Sequence, residues 1–375
     1  MPGRLRSLQL SGRRRALGRL ALVVCTLAVS LAVAEGAYRI YVASSAKSDG
    51  DDDGWRQRYR HMNETLYRRS ADAELVYEPV ASSAVQMEYG TAAFDAARIR
   101  DDREHAVVHG PLLRVAMVGD SLVWSELVAV GDSLPRRTEE ALGGRAEVLN
   151  FGVTGYDTAQ EARWYETAVR AFHSDVVVVV WCMNDSMIMS GPFERFANAR
   201  DRARKDAQDA LFARVAPVRR ETLGDVLSER ERRAPSRLLG HALGLVERSR
   251  FEARYVDEYL VIHRQAARRA ATRAALARLG AAVRADGAEP VLVISPVLEA
   301  WDHYHWSSIH AFARRTGEAA GFTVVDPLDA WRGHDDPHDL RVPGDNLHYG
   351  EHGNRVFGRT IAAAAREALA RHAAR

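Results

Sequence analysis

A serine directly follows an apolar run in the stretch Leu112 to Val118, Gly119-Asp120-Ser121-Leu122. At a strand-to-helix turn a serine holds its hydroxyl above the sheet, and a preceding glycine permits the tight backbone required there. That hydroxyl is a weak nucleophile until a neighbouring base takes its proton. His348 is the candidate base, because imidazole titrates near neutrality. Asp345, three residues earlier in Asp345-Asn346-Leu347-His348, can orient the ring and stabilise the imidazolium. The oxyanion formed on attack needs preorganised donors. The candidates are the Ser121 N–H, the Gly155 N–H closing Asn150-Phe151-Gly152-Val153-Thr154-Gly155, and the carboxamide of Asn184 in Asn184-Asp185. Singly, each has an ordinary explanation: a glycine opens a helix, an asparagine forms a turn, a histidine caps a helix. Four in order, each at an expected strand end or helix start, point to acyl chemistry that needs no cofactor and no metal.

Elements able to position these residues are readable from residue 111 onward. Short apolar runs at Leu112 to Val118, Glu147 to Phe151, Val176 to Trp181, Pro290 to Ser295 and Thr323 to Asp326 predict five strands. Val176 to Trp181 has no polar residue, as expected for a strand covered on both faces. Helical patterns fall between them at Leu134 to Leu142, Thr158 to Phe172, Trp306 to Ala320 and Glu351 to Arg371, with Asp157 or Thr158 as a cap. Such alternation predicts a three-layer α/β/α domain over 111–375 on a five-stranded parallel sheet, with chemistry at the carboxyl ends of the strands. Residues 186–288 interrupt the alternation as an Arg-rich, mostly helical insertion broken at Pro217 and Pro235. Within it, Ala266 to Ala282 has the pattern of a layer helix, and the rest is either a cap over the active face or a surface insertion.

Taken together, the blocks resemble those of the SGNH hydrolase superfamily, the GDSL esterases and lipases, over roughly residues 111–185 and 288–372. The resemblance implies a flavodoxin-like SGNH fold, with Ser121 as nucleophile, Asp345 and His348 completing the triad, and Ser121, Gly155 and Asn184 forming the oxyanion hole. One position departs from the pattern. The third block usually reads Gly-x-Asn-Asp, and here Cys182 stands in place of the glycine.

Charge is distributed unevenly behind a formal balance of +2. Residues 1–34 hold six Arg and no acid, and the remainder holds 46 basic and 50 acidic residues. This balance excludes a strongly basic nucleic-acid binder, and two cysteines exclude a disulfide scaffold. An Arg-rich start at 1–15 followed by the apolar run Leu20 to Ala34 reads as an export signal, with the arginines kept in the cytoplasm. The expectation is an uncleaved membrane anchor over 16–38, carrying the catalytic domain outside the membrane. The alternative is secretion after cleavage at Ala32-Val33-Ala34. Residues 39–110 read as a linker and N-terminal extension without a usable motif. Asp49, Asp51, Asp53 and Gly54 imitate the start of a calcium loop, but its twelfth position is Arg60, so a solvated linker is expected.

The expected function is a serine esterase or O-acyl hydrolase acting on an ester-bearing substrate, an acylated glycan or a lipid, outside the cytoplasmic membrane. Two alternatives stay open: an O-acyltransferase acting on cell-surface glycans, and a non-catalytic glycan-binding protein of the same fold. His303, His305, His310, His334 and His338 lack zinc-motif spacing and read as loop residues. Oligomeric state is not legible. A second copy of the nucleophile motif, Gly131-Asp132-Ser133-Leu134, precedes Pro135 and follows no comparable strand, which marks Ser133 as a helix cap. Ser121→Ala is expected to abolish ester hydrolysis. Ser133→Ala should keep activity and lose only the roughly 0.5–2 kcal/mol of a cap, read by denaturant unfolding.

Overall fold

Covering both faces of an apolar strand requires helices on each side, and that demand organises the chain. The computed structural model describes residues 3–45, 52–186, 193–197, 199–215, 236, 238–239, 259–299, 301–333, 336–342, 345 and 347–374. Two compact units are formed, 1–55 with 218–255, and 56–217 with 256–375.

The first unit contains α1 (Gly3–Ser45), a single 43-residue helix. Its stretch Leu17–Ile40, 24 residues long, is long and apolar enough to cross a membrane, and a signal sequence would satisfy the same test. At 1.5 Å per residue it extends about 36 Å, against roughly 30 Å of bilayer hydrocarbon. The expectation from sequence counted only the shorter uncharged run Leu20 to Ala34. Glu35 and Arg39 fall within the longer stretch and pair at 2.7 Å, one turn apart.

In the second unit, α2 (Asp52–Leu66) leads into two small antiparallel pairs. β1 (Tyr67–Arg69) pairs with β2 (Tyr77–Pro79), and β3 (Ser83–Met87) with β4 (Gly90–Phe94). The domain boundary expected at residue 111 does not separate compact units, since residues 56–110 belong to the same unit as the sheet. These strands escaped the sequence reading because they are three to five residues long, too short to display a period. Residues 46–51 of the expected linker, Asp49 and Asp51 among them, lie outside the described residues.

The main sheet follows the expected strands closely: β5 (Leu113–Gly119), β6 (Ala146–Gly152), β7 (Val176–Trp181), β8 (Glu289–Ile294) and β9 (Thr323–Val325). All neighbours are parallel, in the order β6-β5-β7-β8-β9. Every residue of β7 is buried. The helices are α3 (Ser121–Trp124), α4 (Leu134–Leu142), α5 (Thr158–Thr167), α6 (Ala199–Val215), α7 (Ala266–Ala285), α8 (Ser307–Ala319), α9 (Leu328–Trp331), α10 (Pro337–Leu340) and α11 (Glu351–Ala373). α4 and α11 pack together on one face, and α5, α7 and α8 cover the other. Asp157 caps α5 in a full capping box with Gln160. The helix expected to reach Phe172 instead tightens into a 3₁₀ turn over Val169–Phe172. Pro217 and Pro235 lie outside the described residues, whereas α7 fulfils the layer role expected of Ala266 to Ala282.

The strand order reverses between β5 and β7, and ligands bind at such a switch point in open α/β sheets. One close approach fixes it. At Gly152, ending β6, a Cβ would stand 2.1 Å from the Trp124 backbone N and 2.6 Å from the Val123 carbonyl carbon. α3 can rest on β6 only over a glycine. Gly152→Ala should therefore lower stability by about 3 kcal/mol or more, read as a fall in the urea midpoint.

Candidate active site

The turn after β5 carries Asp120, fully buried, whose Oδ1 accepts the Leu122 N–H at 2.9 Å and so caps α3. This sets Ser121 as the first residue of the helix, only 6% exposed. The other Asp120 oxygen accepts from Asn184 Nδ2 at 2.7 Å and lies 3.4 Å from Ser121 Oγ. One carboxylate thus joins the ends of β5 and β7.

From the loop before α11, Asp345 Oδ1 accepts the N–H groups of Leu347 and His348 at 2.7 and 3.0 Å. Its Oδ2 lies 2.7 Å from His348 Nδ1, and His348 Nε2 lies 2.8 Å from Ser121 Oγ. Ser121, His348 and Asp345 are therefore brought together in hydrogen-bonded sequence. Asn184 joins them through Asp120. Gly155 adopts φ +76°, a left-handed conformation that favours glycine, and a Cβ there would stand 3.1 Å from Tyr77 Oη.

Cys182, the departure from the family pattern, is fully buried, and burial holds its thiol well above the ordinary range. Its N–H donates to Asp185 Oδ2 at 2.7 Å, and Asn184 still reaches Asp120. Burial pushes the carboxyls of Glu161 and Asp185 well above the ordinary range, with the charges of Asp120 and Asp157 adding to the rise at Glu161 and those of Glu161 and Asp120 to the rise at Asp185.

The second Gly-Asp-Ser-Leu does what its helix-start signature predicts. Ser133 precedes α4, and its hydroxyl oxygen accepts the Arg136 N–H at 3.4 Å. His310 is buried between Tyr304 Oη at 2.7 Å and Asp326 at 3.0 Å, as a structural bracket. His338 lies against Asp336 at 2.9 Å on the exposed side of α10. His334 falls outside the described residues. Among the described residues no three His, Cys, Asp or Glu side chains cluster as a metal site requires.

Sequence reasoning missed Glu126. It is buried, its Oε2 lies 3.6 Å from His348 Nε2, and its Oε1 accepts the Tyr59 hydroxyl at 2.8 Å. A signal was present: a lone acid five residues after the serine, inside Leu122 to Val130, whose other residues apart from Ser125 are apolar.

The electrostatics of His348 combine opposing effects. Burial disfavours its cation, but the Asp345 hydrogen bond and the charges of Glu126, Asp345 and Asp120 prevail and raise it to about 9. Asp345 is held down to about 2: burial opposes this, and the His348 contact overcomes it. The raised histidine stabilises the fold fully below its ordinary 6.5 and loses that contribution as pH rises through about 9. The depressed aspartate stabilises above its ordinary 3.8 and loses its contribution as pH falls through about 2. As the expected base, His348 must be neutral to take the Ser121 proton. kcat/KM on an activated ester should therefore rise from pH 7 with a midpoint near 9, and Glu126→Gln should move that limb to lower pH. A flat profile between pH 7 and 9 would contradict this assignment of the base.

Similarity to known proteins gives the family. The family model of the GDSL-like lipase/acylhydrolase family matches residues 117–356. No curated protein matches the chain. Among solved structures, a lipase/acylhydrolase from Enterococcus faecalis is 14% identical, with 69% of this chain and 97% of that one covered at a TM-score of 0.39. A carbohydrate acetylesterase family member from Sinorhizobium meliloti is 16% identical, with 69% and 100% covered and a TM-score of 0.39. Axe2, an acetylxylan esterase from Geobacillus stearothermophilus, is 14% identical, with 68% and 94% covered and a TM-score of 0.38. With the family model spanning well over half the sequence, the chain is an ester-bond hydrolase and belongs to the GDSL-like lipase/acylhydrolase family.

Proposed function

We propose that the chain is a serine esterase using Ser121, His348 and Asp345 through an acyl-enzyme, on an ester substrate outside the cytoplasmic membrane. The observation that carries this reading is His348 itself, 2.8 Å from Ser121 Oγ on one side and 2.7 Å from Asp345 on the other. Nε2 takes the Ser121 proton as Oγ bonds to the ester carbon, and the carbonyl oxygen becomes an oxyanion. The Ser121 N–H, the Gly155 N–H and Asn184 Nδ2 donate to that oxyanion; each such donor is worth about 10²–10³ in rate. Collapse breaks the bond to the alcohol, which leaves with the proton from Nε2. Water then attacks the acyl-enzyme by the same route and releases the acid.

The location rests on charge. Five arginines and no acid precede the apolar helix stretch Leu17–Ile40, and a sixth, Arg19, lies at its start. That arrangement retains the arginine-bearing segment in the cytoplasm and sends the downstream chain outward. In this reading residues 1–15 stay inside, 16–38 span, and the catalytic unit works outside as an anchored enzyme.

A fluorophosphonate probe should label folded protein at Ser121, and Asp345→Asn should lower kcat by about 10⁴. Absence of labelling would favour a binding protein over an enzyme. In membrane fractions the intact chain should resist carbonate extraction. A mature N-terminus at Glu35 in the soluble fraction would replace the anchor with a cleaved signal.

A further inference from the structure

Glu126 takes no part in acylation of Ser121, yet the fold goes to some length to place it. The residues on either side, Ser125 and Leu127, both have positive φ, 60° and 67°. Neither is glycine, and for leucine this conformation is strained by roughly 1–3 kcal/mol. The Glu126 N–H is held by the Ser121 carbonyl at 3.2 Å, and Ser125 Oγ accepts the Leu134 N–H at 2.8 Å. A carboxylate is thereby turned inward from an apolar segment to meet the base.

Its two oxygens have different surroundings. Oε1 accepts from Tyr59 of α2. Oε2 faces His348 Nε2 at 3.6 Å. That separation is too long for a direct hydrogen bond, and a single oxygen atom can touch both groups. Asp120 from the nucleophile turn, and Arg100, Tyr67 and Tyr89 from the N-terminal extension, also act on this carboxylate. Its burial makes every added partner count more than it would in water.

We propose, on the basis of the Ser121-His348-Asp345 triad, that Glu126 selects water as the acyl acceptor: its Oε2 and His348 Nε2 together receive the two O–H bonds of one water molecule poised against the Ser121 ester. As the water oxygen bonds to the acyl carbon, one O–H bond breaks and its proton passes to Nε2. The second O–H keeps its hydrogen bond to Oε2 throughout. Collapse then breaks the acyl carbon–Oγ bond, Nε2 returns the proton to Oγ, and the carboxylic acid leaves. An alcohol has only one O–H bond. Once that bond is given to Nε2, the alcohol's lone pairs and alkyl group face a buried carboxylate with nothing to donate. The carboxylate thus favours hydrolysis over transfer to a sugar or glycerol hydroxyl.

The test is product partitioning. Wild-type enzyme, Glu126→Gln, Glu126→Ala and Tyr59→Phe are each given p-nitrophenyl acetate with molar glycerol, and acetate is measured against glyceryl acetate. Intact-mass spectrometry follows the acyl-enzyme on Ser121. The expected result is a rise of at least about tenfold in the transfer-to-hydrolysis ratio for both Glu126 variants, with acetyl-Ser121 accumulating. Tyr59→Phe, which leaves the carboxylate in place, should shift the ratio less and in the same direction. An unchanged ratio in all three variants, with wild-type Ser121 labelled by a fluorophosphonate, overturns the role of Glu126 and leaves the triad standing. No fluorophosphonate labelling of Ser121 in folded wild-type enzyme overturns both.

Discussion

A carboxylate with no access to solvent ties the active face together. Asp120 satisfies a backbone N–H that starts α3 and also receives the side chain of Asn184 from the neighbouring strand end. A buried charge must find partners, because leaving it unpaired costs several kcal/mol. Here both partners belong to the proposed chemistry. One sets the direction of the serine, and the other fixes an amide that can face the oxyanion. The requirement to satisfy one anion therefore fixes the spacing between nucleophile and oxyanion donor, and the topological switch between β5 and β7 is where the backbone allows it.

The support behind α3 comes from an unexpected quarter. Trp124, its last residue, is fully buried against Phe94 of β4, with ring centroids 4.5 Å apart, and near Tyr67 of β1 at 6.3 Å. Arg100 lies over the same ring at 4.7 Å and donates to the Val128 carbonyl at 2.9 Å. Tyr77 stacks on Phe193 at 4.3 Å and donates to the Thr154 carbonyl, next to Gly155. A segment expected to link the membrane to the enzyme is instead its buttress. It holds the nucleophile helix on one side and the Gly155 turn on the other.

How legible was this in the sequence? The central strands were, because Val176 to Trp181 can only be a doubly covered strand, and their bounds moved by a residue or two. The four blocks were readable as a set by their order at expected strand ends and helix starts, and Ser121, His348 and Asp345 do stand within hydrogen-bond distance of one another. The cap at Ser133 was told from the nucleophile at Ser121 by Pro135 and by the lack of a strand before it. What could not be read was whatever depends on distant partners. β1 and β2 are three residues each and are stabilised by aromatic packing against α3 and Phe193, which no local period encodes. The partners of Glu126 were hidden for the same reason, since Tyr59 lies 67 positions before it and His348 far after it, and only its acid among apolar neighbours could have marked it.

The distance between Ser121 and His348 along the chain is 227 residues, and the base sits just ahead of the final helix. An unfinished or C-terminally clipped polypeptide therefore carries the serine, its turn and the proposed oxyanion donors, but not the proposed base. Even a complete chain must dock α11 against α4, across the whole domain, before serine and histidine meet. In the proposed triad, attack on an ester therefore waits until the two ends of the domain have joined.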